Sequence, residues 1–289
     1  MDIHQFAQIA LSAITLGAIY CLFALGLSLI FGIMHIIQFA HGELYMLGAF
    51  AGYYLINGFG LNLALSLVIV MFLIALLGIA AQKAFFAPLM GKPVATLAMS
   101  FGLLLALQGA AFALFGGKEK MIHTPLSGIL TFPGGVTTTY HNLLIIGITA
   151  ILVASLYYII FKTKPGRAMR ALEQDMDTAA LMGIEPSKIN MLAFGIGCGL
   201  AGIAGLLIGA VFPIEPIMGG GILLKAFAII IVGGIGSLSG AIVASFIWTF
   251  AELFAGFAIG GDLAFIVCFA AVFLILVFKP TGLFGHAVS

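Results

Sequence analysis

Residues 222–254 read Ile222-Leu223-Leu224-Lys225-Ala226-Phe227-Ala228-Ile229-Ile230-Ile231-Val232-Gly233-Gly234-Ile235-Gly236-Ser237-Leu238-Ser239-Gly240-Ala241-Ile242-Val243-Ala244-Ser245-Phe246-Ile247-Trp248-Thr249-Phe250-Ala251-Glu252-Leu253-Phe254. Lys225 and Glu252 are its only charges. A helix needs about 20 apolar residues to cross roughly 30 Å of hydrocarbon, so the stretch is too long for one pass. Its centre, Gly233 to Gly240, is rich in residues that interrupt helices. It therefore reads as two short apolar helices around a glycine-rich break.

The rest of the chain has the same character. Of 289 residues, 63% are hydrophobic and 7% charged, where a soluble domain carries about 45–50% and about 25%. Eleven Lys and Arg with ten Asp and Glu cannot cover a soluble globule of this length. This excludes a secreted module, a cytosolic enzyme and a disordered scaffold. A net charge of +1 gives no sign of nucleic-acid binding. Cys21, Cys198 and Cys268 stand singly in apolar runs and read as packing residues.

Apolar runs lie near 6–33, 39–56, 62–82, 95–115, 141–161, 189–212, 222–254 and 262–278. Backbone groups in lipid must pair internally, so these are helices. The fold class is an all-α polytopic membrane protein, one domain over 1–289, with about eight apolar segments and broken or re-entrant helices near 34–44 and 233–240. The N-terminal run is too long for a signal-peptide core, and no lipidation motif closes the chain.

Lys and Arg give the orientation. Lys83 and Lys92, the group Lys162, Lys164, Arg167, Arg170 and Lys188, and Lys279 mark three cytoplasmic places. The loop 116–140, with Pro125, Pro133, Gly134, Gly135 and Thr137 to Thr139, then faces outward, mildly opposed by Lys118 and Lys120. Between Lys188 and Lys279 the number of crossings must be even. With three runs available, 222–254 is expected to enter and return on one side; two full crossings are expected only if the third run fails to span. The side of the N-terminus depends on the path of 34–44 and stays open.

Nine charged residues crowd the segment from Lys162 to Lys188. Pro165-Gly166 ends the fifth span, and Arg167 to Gly183 reads as one amphipathic helix with Met169, Leu172, Met176, Ala179 and Ala180 on its apolar face. Arg170, Gln174 and Asp177 lie opposite. One use for such a helix is to rest on lipid headgroups; the other is to dock in a groove of a cytoplasmic partner.

Asp177-Thr178-Ala179-Ala180-Leu181-Met182-Gly183 resembles the Glu-Ala-Ala-x-x-x-Gly coupling motif of ABC-importer permeases, with Asp and Thr at its first two positions. Gly32 to Ala49, centred on Gln38-Phe39-Ala40-His41-Gly42-Glu43, is similar to the signature of LivH-type branched-chain amino acid permeases, with Gln38 for the usual Asn. Gly233-Gly234-x-Gly236-Ser237-x-x-Gly240-Ala241 and Lys279-Pro280-x-Gly282-Leu283-Phe284-Gly285 fit the same family. The resemblance implies an inner-membrane subunit of a bacterial ABC importer, non-catalytic and without its own cofactor. A second homologous permease, two cytoplasmic ATPases carrying ATP and Mg²⁺, and an external binding protein would accompany it. Arg167, Arg170, Met176, Asp177, Thr178, Ala179, Ala180 and Gly183 would couple it to the ATPases. The residues agree on one point: Gly91-Lys92-Pro93 lacks the glycine spacing and hydroxyl of a phosphate-binding loop.

Ionisable residues in a span are functional candidates. Glu43 with His41 leads, and the expected substrate path takes in His35, Gln38, His41, Gly42, Glu43, Gly233, Gly234, Gly236 and Ser237. Glu43 could meet an amino acid's ammonium. Equally, His41, Gly42 and Glu43 could cap the broken helix ends around an unwound turn. His35 and His41 are six apart, wrong for a helical metal site. The glycines at 233–240 serve either helix packing or carboxylate binding at a half-helix start. Gly195, Gly199, Gly202, Gly205 and Gly209 read as packing. Lys225 and Glu252 are expected near the outer ends of their helices, Lys225 snorkelling, and Trp248 as lipid-facing and packing mass.

Two other functions compete. An intramembrane protease at Ser237 lacks a nearby His base. A self-contained secondary transporter or channel also uses broken helices but needs no docking segment for a motor. Branched-chain amino acids are the family default, with urea or short amides as alternatives.

Overall fold

The computed structural model describes residues 3–123, 128–131 and 135–284. Pro125, Pro133 and Gly134 of the outer loop, and the tail from Gly285 to Ser289, lie outside the described residues. Eleven α-helices are present among those described: α1 (Ile3–Met34), α2 (His41–Tyr53), α3 (Leu63–Ala81), α4 (Pro93–Phe115), α5 (Tyr140–Lys162), α6 (Lys164–Gln174), α7 (Met176–Leu181), α8 (Pro186–Ile208), α9 (Met218–Gly233), α10 (Leu238–Ile259) and α11 (Gly261–Phe278). A small antiparallel hairpin, β1 (Ile129–Thr131) and β2 (Thr137–Thr139), stands in the loop before α5. Among the described residues, seven helices are long and apolar enough to span a membrane; α9 is apolar but shorter.

α1 and α8 form the buried centre, and α3, α4, α5, α10 and α11 turn most of their apolar surface outward. That inside-out distribution suits lipid, where an exposed Phe72 or Leu274 carries no penalty. Small residues bring the central helices together. Gly26 and Gly197 meet backbone to backbone, Gly202 packs on Gly48, and Gly205 on Tyr45 and Ala49. Gly195, Gly199 and Gly209 pack against Ile79, Met71 and Ile214, so the expected packing role of this glycine series holds.

The lysine-marked ends give the orientation of the rest. The Gln8 amide donates to the Thr137 carbonyl at 2.9 Å and accepts from the Thr137 amide at 3.0 Å, which puts the start of α1 with the outer hairpin. Lys120, one of the two residues that opposed this orientation, is enclosed by the rings of Phe50, Tyr53, Tyr54 and Phe115 and donates to the Tyr54 hydroxyl. These rings hold the ammonium at the outer face.

The turn at 234–237 lies at the opposite, cytoplasmic end. Gly236 sits beside Gly32 and the Glu173 carboxylate of α6, and the amides of Leu283 and Phe284 donate to the carbonyls of Val232 and Gly233. The run 222–254 therefore enters and returns from outside, but its turn reaches the cytoplasm. This corrects the expected count: α8, α9, α10 and α11 make four passes, an even number with α11 spanning. The error was one of parity: two passes within 222–254, added to those of α8 and α11, also give an even number, with the shorter α9 completing its pass together with the chain that leads into it.

The cytoplasmic segment also differs from one continuous amphipathic helix. Lys162 ends α5, and Thr163 caps α6, its hydroxyl accepting from the Gly166 amide at 3.3 Å. Pro165 and Gly166 thus belong to the first turn of α6 rather than to a break after α5. Asp175 then interrupts the helix, because its carboxylate accepts from the amides of Asp177 and Thr178 and from the Thr178 hydroxyl. A side chain that satisfies the first amides of a new helix ends the old one.

Candidate translocation site and coupling surface

α1 ends at Met34, and the next residue, His35, is the one described non-glycine residue with positive φ, at 53°. The chain is then unwound as far as Ala40. The Ser100 hydroxyl of α4 accepts from the amides of Phe39 and Ala40, replacing helical partners. Such non-helical backbone is tolerated at membrane depth only inside protein or beside water. His41, Gly42 and Glu43 form the first turn of α2. Their side chains form no cap on α2, but the amides of His41 and Glu43 donate to the carbonyls of Gln38 and Ala40 and so tie the turn to the helix start. The side-chain polar atoms of Gln38, His41 and Glu43 are buried without a hydrogen-bond partner.

The beginnings of α2 and α9 meet. A side-chain carbon on Gly42 would strike the Gly219 carbonyl, and one on Gly219 would strike that of Gly42. His41 packs against the Phe23 ring and beside Gly26, eight residues above the cytoplasmic end of α1 or about 12 Å. The junction therefore lies near mid-depth. One helix runs outward from it and the other toward the cytoplasm, so two positive helix ends converge. The Glu43 carboxylate lies beside Gly219 at this convergence. Phe39 touches both Phe101 and Phe227 next to it.

Gly233, Gly234, Gly236 and Ser237 are elsewhere. Gly233 is pressed against Gly240, Gly234 and Gly236 have φ of 102° and 82°, and the Ser237 hydroxyl caps α10 by accepting from the Gly240 amide at 3.1 Å. With His35, Gly236 and Ser237 line a cytoplasmic cavity of about 1250 Å³. The sequence candidates thus divide into a mid-membrane group and a cytoplasmic group.

In the coupling segment, Met169, Leu172 and Ala179 are buried, as the periodicity indicated, but Ala180 is exposed. Leu181 and Met182 stand out at 87% and 81% exposure. Gly183, with φ of 86°, reverses the chain into α8. Hydrogen bonds from Thr178 and Asp177 hold the Asp175 carboxyl below the usual carboxylate range. Stability from this cap is present above the carboxyl's unfolded value and disappears as pH falls through the lowered folded one. Asp175→Ala should therefore speed amide exchange in α7 at neutral pH and leave α8 unchanged; equal protection in both proteins would contradict the capping role.

A sequence model of the family described as branched-chain amino acid transport system / permease component matches residues 9–284. The chain belongs to that permease family. It is similar to the high-affinity branched-chain amino acid transport system permease protein BraD of Pseudomonas aeruginosa, 32% identical across 99% of this chain and 97% of that one. LivH of Escherichia coli K12, described by the same transport-system wording, is 29% identical across 97% and 96%. A probable branched-chain amino acid transport permease protein LivH of Methanocaldococcus jannaschii is 28% identical across 93% and 90%. No solved structure matches.

One polar group in this permease was misread from sequence. Lys225 lies in the interior of α9, not near its outer end, and does not snorkel. Its ammonium donates to Glu252 of α10 and, at 3.0 Å, to the Tyr20 hydroxyl of α1. Trp248 donates its indole N–H to the other Glu252 oxygen at 2.8 Å. The network ties three helices together inside the membrane. The signal was available: opposite charges, one on each arm of an antiparallel pair, compensate each other more cheaply than either does alone. Ser100 and Gly219 were missed as well, because neither stands out before the fold brings it to the unwound segment.

Proposed function

We propose that this permease forms the translocation path of an ATP-driven importer of branched-chain amino acids in the inner membrane, with a homologous permease, two ATPases and an external binding protein as partners. The observation that carries this reading is the mid-membrane convergence of α2 and α9 on an unpartnered Glu43. A carboxylate there suits an ammonium group, and amides at a helix start suit a carboxylate. Both charged ends of a zwitterion thus find complementary groups, beside the aromatic surface of Phe39, Phe101 and Phe227. His41, Gly42 and Gln38 shape this part of the path, while His35, Gly233, Gly234, Gly236 and Ser237 lie apart from it, at the cytoplasmic ends of α1, α9 and α10.

The exposed tip of α7 is the place where force arrives. Leu181 and Met182 are apolar anchors on a short helix surrounded by charge, the composition of a docking element. Asp177, Thr178 and Ala180 share its exposed surface and Arg167 is exposed on the neighbouring α6, while Ala179 and Met176 root it. ATP and Mg²⁺ are supplied by the ATPases.

Two measurements test this. Glu43→Gln should lower uptake of leucine by the reconstituted complex about tenfold, a loss of the order expected for one charge-assisted contact, without reducing assembly. Unchanged uptake would remove Glu43 from the path. Leu181→Asp with Met182→Asp should weaken ATPase association by at least 2 kcal/mol, about thirtyfold, while the chain still inserts and folds. Normal ATPase co-purification would refute the docking role.

A further inference from the structure

The cytoplasmic cavity sits behind the coupling helix, and neither His41 nor Glu43 lines it. Its deep wall is apolar, with Leu25 and Leu29 of α1, Val153 and Leu156 of α5, and Ile242 of α10. Its rim is polar, with Arg170 and Glu173 of α6, Ser237 and Ser239. From Leu25 to the end of α1 at Met34 is nine residues of helix, about 14 Å, close to half of the roughly 30 Å hydrocarbon thickness. Tyr157 and Phe161 line the cavity and are also 58% and 39% exposed on the outer surface of α5, so the cavity wall continues onto that apolar outer surface.

The rim groups are incompletely used. Arg170 and Glu173 are one helical turn apart, yet they form no ion pair among the described residues. The Arg170 guanidinium lies over the Phe161 ring, and its Nε is buried without an acceptor. The Glu173 carboxylate faces the backbone of Gly32 and Gly236. Burial pushes the Glu173 carboxyl above its usual range, against the pull of Arg170; a further cation beside it would favour the charged form. Ser239 and the first turn of α10 complete an anion-accepting edge.

We propose that this cavity binds one phospholipid of the cytoplasmic leaflet with a zwitterionic phosphoethanolamine headgroup, the acyl chain lying along Leu25, Leu29, Val153 and Ile242. Arg170 and the Ser239 edge take the phosphate, and Glu173 takes the ammonium. Apolar walls open to hydrocarbon fill with hydrocarbon, because wetting apolar surface is unfavourable. The lipid would form part of the seat on which α6 rests.

Native mass spectrometry of the full-length permease, delipidated and then exposed to mixed vesicles of phosphatidylethanolamine, phosphatidylcholine and phosphatidylglycerol, tests this. One phosphatidylethanolamine should be retained per chain, several-fold above the other two. Val153→Trp should abolish retention, and Glu173→Gln should erase the preference over phosphatidylglycerol while keeping one lipid bound. No retained lipid, equal retention of all three headgroups, or retention unaffected by Val153→Trp would overturn the proposal. Should Val153→Trp fail to fold, wild-type protein labelled by phosphatidylethanolamine with an acyl-chain diazirine decides. Labels are expected at Leu25, Val153 and Leu156; labels spread evenly over α3, α4 and α11 would overturn it.

Discussion

Lys225→Met alone should destabilise the permease by about 3–5 kcal/mol, since removing one partner leaves the other charge buried and uncompensated. Tyr20 and Trp248 would then remain around an isolated Glu252 carboxylate. Adding Glu252→Leu should recover most of the loss, because an apolar pair of similar volume avoids the desolvation that an ion pair requires. Thermal unfolding in detergent measures both, and the single variant should melt lower by on the order of 10 °C. Equal melting of the single and double variants would mean that the charges do not depend on each other. Uptake by the double variant then separates fold from function: a stable but inactive protein would place the network in the transport cycle.

The second large effect is expected where α2 and α9 meet. Gly42→Leu should abolish uptake and sharply reduce folded protein, because the added carbons meet the Gly219 carbonyl, which has no side-chain freedom to withdraw. Overpacking against soft side chains costs about 1–3 kcal/mol, and rigid backbone places this substitution at or above the upper end. Gly220→Ala, one residue away from the contact on α9, meets nothing within 4 Å and should be silent. If Gly42→Leu left folding and uptake intact, the two half-helices would not be in contact in the working protein.

These two sites also mark the limit of what sequence discloses here. The spans and their direction were legible because lipid imposes one rule on every residue: long apolar runs cross, and lysine clusters stay inside. The glycine series of α8 was legible for a similar reason, since its spacing lies within one helix. The contact of Gly42 with Gly219 joins segments far apart in the chain, and no local pattern announces it. Lys225 was misplaced because the apolar run was taken to begin at Ile222, whereas α9 begins at Met218 and carries Lys225 two turns into its interior. The break at Asp175 was hidden by a hydrophobic period that continues through it, while the carboxylate that caps α7 is a short-range feature. Glu43 and His41 were found because ionisable groups in apolar surroundings are costly, but their orientation at the start of α2 required the fold.

The burial of α1 has a consequence for biogenesis. α1 leaves the ribosome well before α8, α9 and α10, which are among its neighbours, and α8 begins roughly 150 residues after α1 ends, a delay on the order of ten seconds or more at ordinary translation speeds. Throughout that interval a helix shaped for close protein neighbours must wait in lipid or against the insertion machinery. The nascent N-terminal half is therefore an incomplete object, and the native centre closes only when the last third of the polypeptide arrives.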